Sequence, residues 1–126
     1  AQVAYLVPIT PVISGQRWED FCLSNLSFCR DWKKDGFYVY DGEQISYQVV
    51  ETAKTYDALA LSGRIKADVL LIAAEKDAVV KTEDVEDLYH ALQTNKWLAV
   101  VPESGHNFES RQYQQRLYKD ILDFLH

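Results

Sequence analysis

The most regular pattern of apolar and polar positions lies in the second half of the chain. Residues 69–74 form an uninterrupted apolar run between charged residues, and residues 97–101 form a second one. A run without alternation is typical of a strand covered on both faces, as in parallel sheets. Between the runs, Val85, Leu88 and Leu92 recur at helical spacing after Thr82, which predicts a helix.

A second helix is predicted from about Ser110 to Leu125, where Tyr113, Leu117 and Ile121 begin one apolar stripe. The order from residue 67 to residue 126 is therefore strand, helix, strand, helix, which indicates α/β architecture. Residues 3–9 read as a third strand, and the segment 1–11 is assigned to it.

The segment between these strands, residues 12–66, is less regular and is interpreted as a cap-like insertion. Residues 16–32 are rich in aromatic side chains and are expected to be partly helical. Asp35-Gly36 and Asp41-Gly42 are turn signals. Residues 45–61 are predicted to form one helix. The whole chain is expected to be a single partial domain with about three parallel strands and flanking helices.

Composition narrows the function classes. The chain has 126 residues, which fits one domain at most, and its net charge is −6. An acidic chain lacks the clustered Lys and Arg that nucleic-acid binding requires. No apolar run approaches the roughly 18–20 residues that cross a bilayer. We therefore expect neither a nucleic-acid partner nor an integral membrane segment.

The two cysteines, Cys22 and Cys29, are seven residues apart. On one continuous helix that spacing is about 10 Å, which is too far for a disulfide. The sequence therefore predicts two free, buried thiols and, with them, a reducing and cytoplasmic location.

Two residues with catalytic chemistry follow the two buried strands. Asp77 comes shortly after the run that ends at Ala74, and His106 comes after the run that ends near Val101. Open parallel sheets place ligands at the carboxyl ends of their strands, so these side chains are expected to meet at one rim. A carboxylate beside an imidazole is the orienting half of a Ser-His-Asp relay. No spacing of His, Cys, Asp or Glu suggests a metal site, and no Gly-rich phosphate loop suggests a cofactor.

These residues carry a family resemblance. Residues 65–80, containing Asp77, resemble the acid-bearing segment of the α/β-hydrolase superfamily. Residues 101–108, containing Gly105 and His106, resemble its Gly-His loop, and the final helix resembles its last helix. The resemblance implies the C-terminal half of a hydrolase or acyltransferase acting on an ester or thioester, with Asp77 as the triad acid and His106 as the base. A weaker likeness, from Tyr40 to Asp57, is to the bacterial bioluminescence acyl-transferases, which are fatty-acyl thioesterases.

The nucleophile of that family lies on a Gly-x-Ser-x-Gly elbow, and no serine of this chain lies in such a motif. The resemblance places the elbow upstream of Ala1, as the absence of Met and the apolar opening also suggest. The expected partner is then a missing N-terminal half or a second copy of this chain, and the chain alone is expected to be inactive. The alternatives are a hydrolase-like binding module without a nucleophile and a flavodoxin-like domain, the latter disfavoured by the lack of a phosphate loop. The insertion is expected to shape the acyl site. Its aromatic side chains either line an acyl pocket or, as is more usual in such a segment, only pack against one another: Trp18, Phe21, Phe28, Tyr38 and Tyr40.

Overall fold

The computed structural model describes residues 2–126, which divide into two compact units. The first unit combines the segment that ends at Pro11 with Ala58–His126, and the second is Val12–Asp57. The strands are β1 (Tyr5–Leu6), β2 (Phe37–Tyr40), β3 (Glu43–Ser46), β4 (Asp68–Ala74) and β5 (Lys96–Val101). The helices are α1 (Gly15–Asn25), α2 (Ser27–Asp35), α3 (Gln48–Ala53), α4 (Ala58–Leu61), α5 (Thr82–Ala91) and α6 (Arg111–Leu125), with a short 3-10 helix at Ser62–Arg64.

The first unit is built on a parallel three-stranded sheet in the order β1-β4-β5. The predicted α/β fold with three parallel strands is therefore confirmed. β4 is central and six of its seven residues are buried, as its unbroken apolar run requires. β1 is shorter than predicted, although an isolated bridge from Ile9 to Ile72 extends its alignment with β4.

Helix α6 covers one face of this sheet. Leu70, Ile72 and Ala74 alternate along β4 and pack in one apolar cluster with Leu117 of α6 and with Phe108. The Ser110 hydroxyl accepts a hydrogen bond from the Tyr113 N–H and caps the helix at the predicted position. Helix α5 packs on β4 and β5 through the predicted apolar stripe, with Val85 and Leu88 buried.

The second unit contains α1, α2, the β2–β3 hairpin and α3. Asp41 and Gly42 form the turn of the antiparallel hairpin, and both have positive φ, which is the turn that an Asp-Gly pair favours. Trp32, Tyr47 and Val50 form the buried core of this unit.

A buried carboxylate ties the elements of the second unit together. The Tyr47 hydroxyl donates to Glu19 Oε1 at 2.6 Å, and the ammonium groups of Lys33 and Lys54 lie 3.2 Å from its two oxygens. The Tyr47 hydrogen bond is the largest of the influences that lower the pKa of Glu19 to about 2. Burial and the neighbouring Glu19 raise the pKa of Tyr47.

The prediction of one helix over residues 45–61 is wrong. Residues 43–46 form β3, a six-residue helix follows, and residues 58–61 form another short helix in the first unit. Pairing of Ile45 with Tyr38 across the hairpin outweighs the helical spacing that the apolar residues suggested. The second compact unit ends at Asp57, whereas the sequence analysis extended the insertion to residue 66.

The prediction of two free thiols is also wrong. Cys22 and Cys29 form a disulfide with their Cα atoms 5.7 Å apart. The spacing argument assumed one continuous helix, but the chain leaves the helical conformation at Leu26, where α1 ends and α2 begins. The change of direction brings together two residues that a straight helix would separate.

Among the described residues, none of the helices combines the length and the apolar character needed to span a bilayer.

Candidate active site

Asp77 is fixed by its own loop. Its side chain is fully buried, and its Oδ1 atom accepts hydrogen bonds of 2.8 Å from the N–H groups of both Val79 and Val80. The Asp77 N–H donates to the Ala74 carbonyl at the end of β4. These contacts hold the carboxylate in one orientation and leave its Oδ2 atom for another donor.

His106 supplies that donor. Its Nδ1 atom lies 2.8 Å from Asp77 Oδ2, across 29 residues of sequence. Because the carboxylate accepts, the contact places the ring proton on Nδ1 and leaves Nε2 as the basic nitrogen. About a third of the His106 side chain (34%) is exposed to solvent, so the ring is open to a reacting group. The sequence analysis expected these two side chains to meet, and the structure brings them together.

Backbone contacts join the loops after β4 and β5. The Glu75 N–H donates to the Val101 carbonyl at 3.1 Å, and the Lys76 N–H donates to the Ser104 carbonyl at 2.8 Å. The Glu75 carboxylate also accepts a 2.8 Å hydrogen bond from the Glu103 N–H. These bonds continue the parallel alignment of the strands, in which Ala74 is paired with Val101.

The loop that carries His106 is itself packed and bonded. Ser104 is completely buried and its hydroxyl donates to the Gly105 carbonyl, while the Gly105 N–H donates to the Glu109 carboxylate. Phe108, which follows His106, is buried in the cluster beneath α6. The sequence analysis missed Glu75, Ser104 and Glu109, because no periodicity or motif marks a residue whose partner is a backbone group in a loop.

The serines of the first unit have structural partners. The Ser62 hydroxyl donates to the carbonyls of Leu59 and Ala91, the Ser104 hydroxyl donates to Gly105, and the Ser110 hydroxyl caps α6. Within residues 2–126, no serine hydroxyl makes a hydrogen bond with His106. The described part of the chain thus contains a carboxylate and an imidazole in contact, without a serine bonded to the imidazole.

Of the aromatic residues considered for an acyl pocket, one lines a cavity of the second unit. The second unit has a cavity of about 330 Å³ lined almost entirely by apolar atoms. Its lining includes Trp18, whereas Phe21, Phe28, Tyr38 and Tyr40 lie elsewhere. The other lining residues are Val12, Gly15, Trp32, Val49, Val50, Ala53 and Tyr56.

The described residues contain no group of three or more His, Cys, Asp or Glu side chains placed to hold a metal ion. The chemistry that the Asp77–His106 contact itself offers is proton transfer: the carboxylate orients the ring and stabilises its positive charge while Nε2 accepts a proton.

Comparison with known families agrees with this architecture. Residues 7–126 match the sequence profile of the prolyl oligopeptidase family. The chain belongs to the prolyl oligopeptidase family. Membership covers both units and gives the α/β-hydrolase fold that the sequence resemblance implied. No curated protein matched the chain.

Solved structures show the same fold. The chain is similar to α/β hydrolase domain-containing protein 10 from mouse, with 15% identity and a TM-score of 0.67, over 98% of this chain and 54% of that one. It is similar to acetyl xylan esterase 1 from Thermoanaerobacterium, with 25% identity and a TM-score of 0.59, over 96% of this chain and 38% of that one. For an esterase from Pyrococcus furiosus the identity is 18% and the TM-score 0.65, over 97% and 44%. The chain thus spans about half the length of the structures it resembles, or less.

Proposed function

We propose that this chain is the C-terminal, acid- and base-bearing part of a serine hydrolase that cleaves an ester or thioester. The observation that carries the proposal is the 2.8 Å contact between His106 Nδ1 and the buried Asp77 carboxylate. The prolyl oligopeptidase family profile and the esterases among the similar structures support it.

In the proposed mechanism, His106 Nε2 takes the proton of a serine hydroxyl as that oxygen attacks the acyl carbonyl. Asp77 holds the ring in the tautomer that leaves Nε2 unprotonated and stabilises the imidazolium that forms. His106 then gives the proton to the departing alcohol or thiol. The acyl group is then held as an ester of the serine. His106 takes a proton from water as the water oxygen attacks this ester, and it returns the proton to the serine oxygen as the acid leaves.

The serine and the oxyanion-hole donors are proposed to come from a segment upstream of this chain, with a second copy of the chain as the other possible partner. The serines of the first unit support this reading, because their hydroxyls already bond to backbone groups. The segment would pair with the free edge of β1, which has a neighbour only on its β4 side in residues 2–126.

The apolar cavity of the second unit is proposed to bind an acyl group. Its volume of about 330 Å³ is at the lower end of the size range of small-molecule sites. Trp18 and Trp32 offer two rings in an edge-to-face arrangement with centroids 6.5 Å apart. An uncharged acyl group suits this lining, because a charged group would lose its hydration there without gaining a polar partner. Thioester cleavage and acyl transfer belong to the same proposal, since both use the same relay.

The proposal is tested by comparing the 126-residue chain with the longer protein that contains it. A fluorophosphonate probe, read by intact mass, should leave the chain alone unlabelled and should label one serine of the longer protein. In the longer protein, His106→Ala should lower the turnover of p-nitrophenyl esters by about 10⁴-fold. A matched control is His90→Ala, which removes an α5 histidine whose ring lies against Tyr89.

Near-normal turnover by His106→Ala would contradict the proposal. Absence of any activated serine in the longer protein would favour the alternative of a hydrolase-like binding module. An adduct on the 126-residue chain would assign the nucleophile to one of its own serines, and the labelled peptide would identify it. Parallel assays with thioesters and proline-containing peptides test the substrate class.

The cytoplasmic location stays a prediction, and the disulfide does not support it. The prediction rested on two free thiols, whereas Cys22 and Cys29 are bonded to each other, and disulfides persist mainly in oxidising compartments. Cells are lysed into acid, which stops thiol exchange, and free thiols are then alkylated. The fraction of the protein that is not alkylated at Cys22 and Cys29 shows whether the compartment keeps this pair oxidised.

A further inference from the structure

Glu75 lies outside the Asp77–His106 contact, yet it bonds to the loop that presents the histidine. Its Oε2 atom accepts a 2.8 Å hydrogen bond from the Glu103 N–H, three residues before His106. A hydrogen bond to an ionised carboxylate is about twice as strong as one between neutral groups. Glu75 therefore connects the end of β4 to the His106 loop through its side chain.

The residue that Glu75 bonds to has an unusual backbone. Glu103 has a φ of +62°, a left-handed conformation that side-chain-bearing residues adopt at an energetic cost. A conformation of this kind persists only where its surroundings hold it. The carboxylate of Glu75 holds the N–H of this residue, and the Lys76 N–H holds the carbonyl of the next residue, the buried Ser104.

The two bonds act on consecutive residues, and His106 follows directly after Gly105. The Lys76 bond is formed by backbone atoms and survives most substitutions. The Glu75 bond depends on one side chain. If Glu103 relaxed out of its left-handed conformation, the path of the chain into Gly105 and His106 would change, and Nδ1 would leave the narrow distance range of its bond to Asp77.

We propose that Glu75 is a positioning residue for the base: its carboxylate holds Glu103 in the left-handed conformation and so fixes the His106 ring on Asp77. This inference rests on the proposed role of the Asp77–His106 pair. Glu75 touches no reacting atom, and its effect passes through the backbone of the His106 loop.

The test uses four variants of the 126-residue chain. Glu75→Ala removes the acceptor, and Glu75→Gln keeps a carbonyl acceptor without the charge. Glu103→Gln is the matched control, because it removes the same charge from the same pair of loops and leaves the Glu103 N–H in place. Glu75→Ala combined with Glu103→Gly removes the acceptor but places at position 103 a residue for which positive φ has no steric cost.

The readout is the proton resonance of His106 Nδ1, which lies far downfield when it is bonded to a carboxylate. We expect this resonance in the wild-type chain and in Glu103→Gln. In Glu75→Gln it should be present but weaker. It should be lost from Glu75→Ala and should return in the double variant. In the longer protein, kcat on p-nitrophenyl esters should fall about tenfold or more in Glu75→Ala with little change in KM, and should recover in the double variant.

The outcomes separate this inference from the proposed function. A wild-type chain without the resonance would contradict the Asp77–His106 pair itself and this inference with it. A wild-type resonance that persists unchanged in Glu75→Ala would overturn the role of Glu75 alone. If the resonance is lost from Glu75→Ala and does not return in the double variant, the carboxylate does not act through the conformation of Glu103. That result would also overturn the inference. Chemical-shift dispersion elsewhere in each spectrum shows that the variant is folded.

Discussion

At the residue scale, the chain contains two buried carboxylates that serve different purposes. Asp77 keeps one oxygen for a partially exposed imidazole. Glu19, which is 3% exposed, has both oxygens occupied by a hydroxyl and two ammonium groups. The first arrangement leaves an imidazole that reaches solvent. In the second, a hydroxyl donates to the carboxylate and two ammonium groups compensate its charge.

The bond from Tyr47 to Glu19 should be measurable in the stability of the chain. Tyr47→Phe leaves the buried carboxylate without its closest donor and should lower the free energy of unfolding by about 1–3 kcal/mol. Urea unfolding followed by tryptophan fluorescence measures this change. Tyr38→Phe is the matched control, since the Tyr38 ring packs on Trp32 and Phe28 and would be retained. Equal effects of the two substitutions would contradict the role given to the Tyr47 hydroxyl.

The same cluster predicts a dependence of stability on pH. Because folding lowers the pKa of Glu19 from 4.5 to about 2, its contribution is fully present above pH 4.5 and is lost as the pH falls toward 2. Wild-type and Glu19→Gln chains should therefore differ most in stability above pH 5 and converge near pH 2. A difference that stayed constant over this range would show that the charge of Glu19 does not stabilise the fold.

At the scale of the elements, the sequence correctly predicted the strands and helices that follow from a local pattern of apolar residues. The buried strands β4 and β5 and the amphipathic helices α5 and α6 follow from their apolar spacing. The same pattern placed Asp77 and His106 at adjacent strand ends, which is why the pair could be predicted without a structure. This contact could be predicted because it depends on where the two strands end.

The elements that were mispredicted depend on contacts between distant residues. Residues 43–46 join a hairpin because Phe37–Tyr40 is available as a partner, and nothing within residues 45–61 indicates that. The disulfide depends on a break at Leu26 that no Gly or Pro marks. Glu75 likewise acts on a backbone group that is 28 residues away. Local periodicity contains no information of this kind.

The disulfide should stabilise the α1–α2 corner. In the chain-entropy account, a bridge that closes a loop this short contributes about 2.5 kcal/mol. Dithiothreitol should therefore lower the thermal midpoint of the wild-type chain, and the Cys22→Ala/Cys29→Ala double variant should melt at the lower temperature with or without reductant. Identical midpoints for oxidised and reduced wild-type chains would contradict a stabilising role.

At the scale of the whole molecule, the sheet of the first unit has an exposed edge with apolar side chains beside it. β1 lies at one end of the strand order, and Val3, Tyr5 and Ile9 around it are 59%, 51% and 41% exposed. Tyr118, Leu122 and Leu125 of α6 are also between 44% and 59% exposed. An exposed strand edge beside apolar side chains is a template for pairing with another chain.

We therefore expect the 126-residue chain to self-associate or to bind a segment that adds a strand beside β1. Sedimentation velocity from low to high micromolar concentration should show a growing sedimentation coefficient. Val3→Lys should weaken the association, because a charge at a strand edge opposes pairing. Val39→Lys is the matched control, at a similarly exposed valine (62%) in the hairpin of the second unit. A wild-type chain that stays monomeric throughout would contradict this expectation.

The alignment of β4 with β5 determines which sequence changes the Asp77–His106 contact can tolerate. Ala74 is paired with Val101, and Asp77 and His106 follow at fixed distances along the chain. A slip of one residue would displace one strand end by about 3.3 Å, more than the 2.8 Å contact can absorb. Insertions between the end of α5 and the start of β5 should therefore leave the Asp77–His106 contact in place so long as the strands keep their alignment. A change that shifts the alignment anywhere along β4 or β5 should disable the pair even if it lies far from Asp77 and His106.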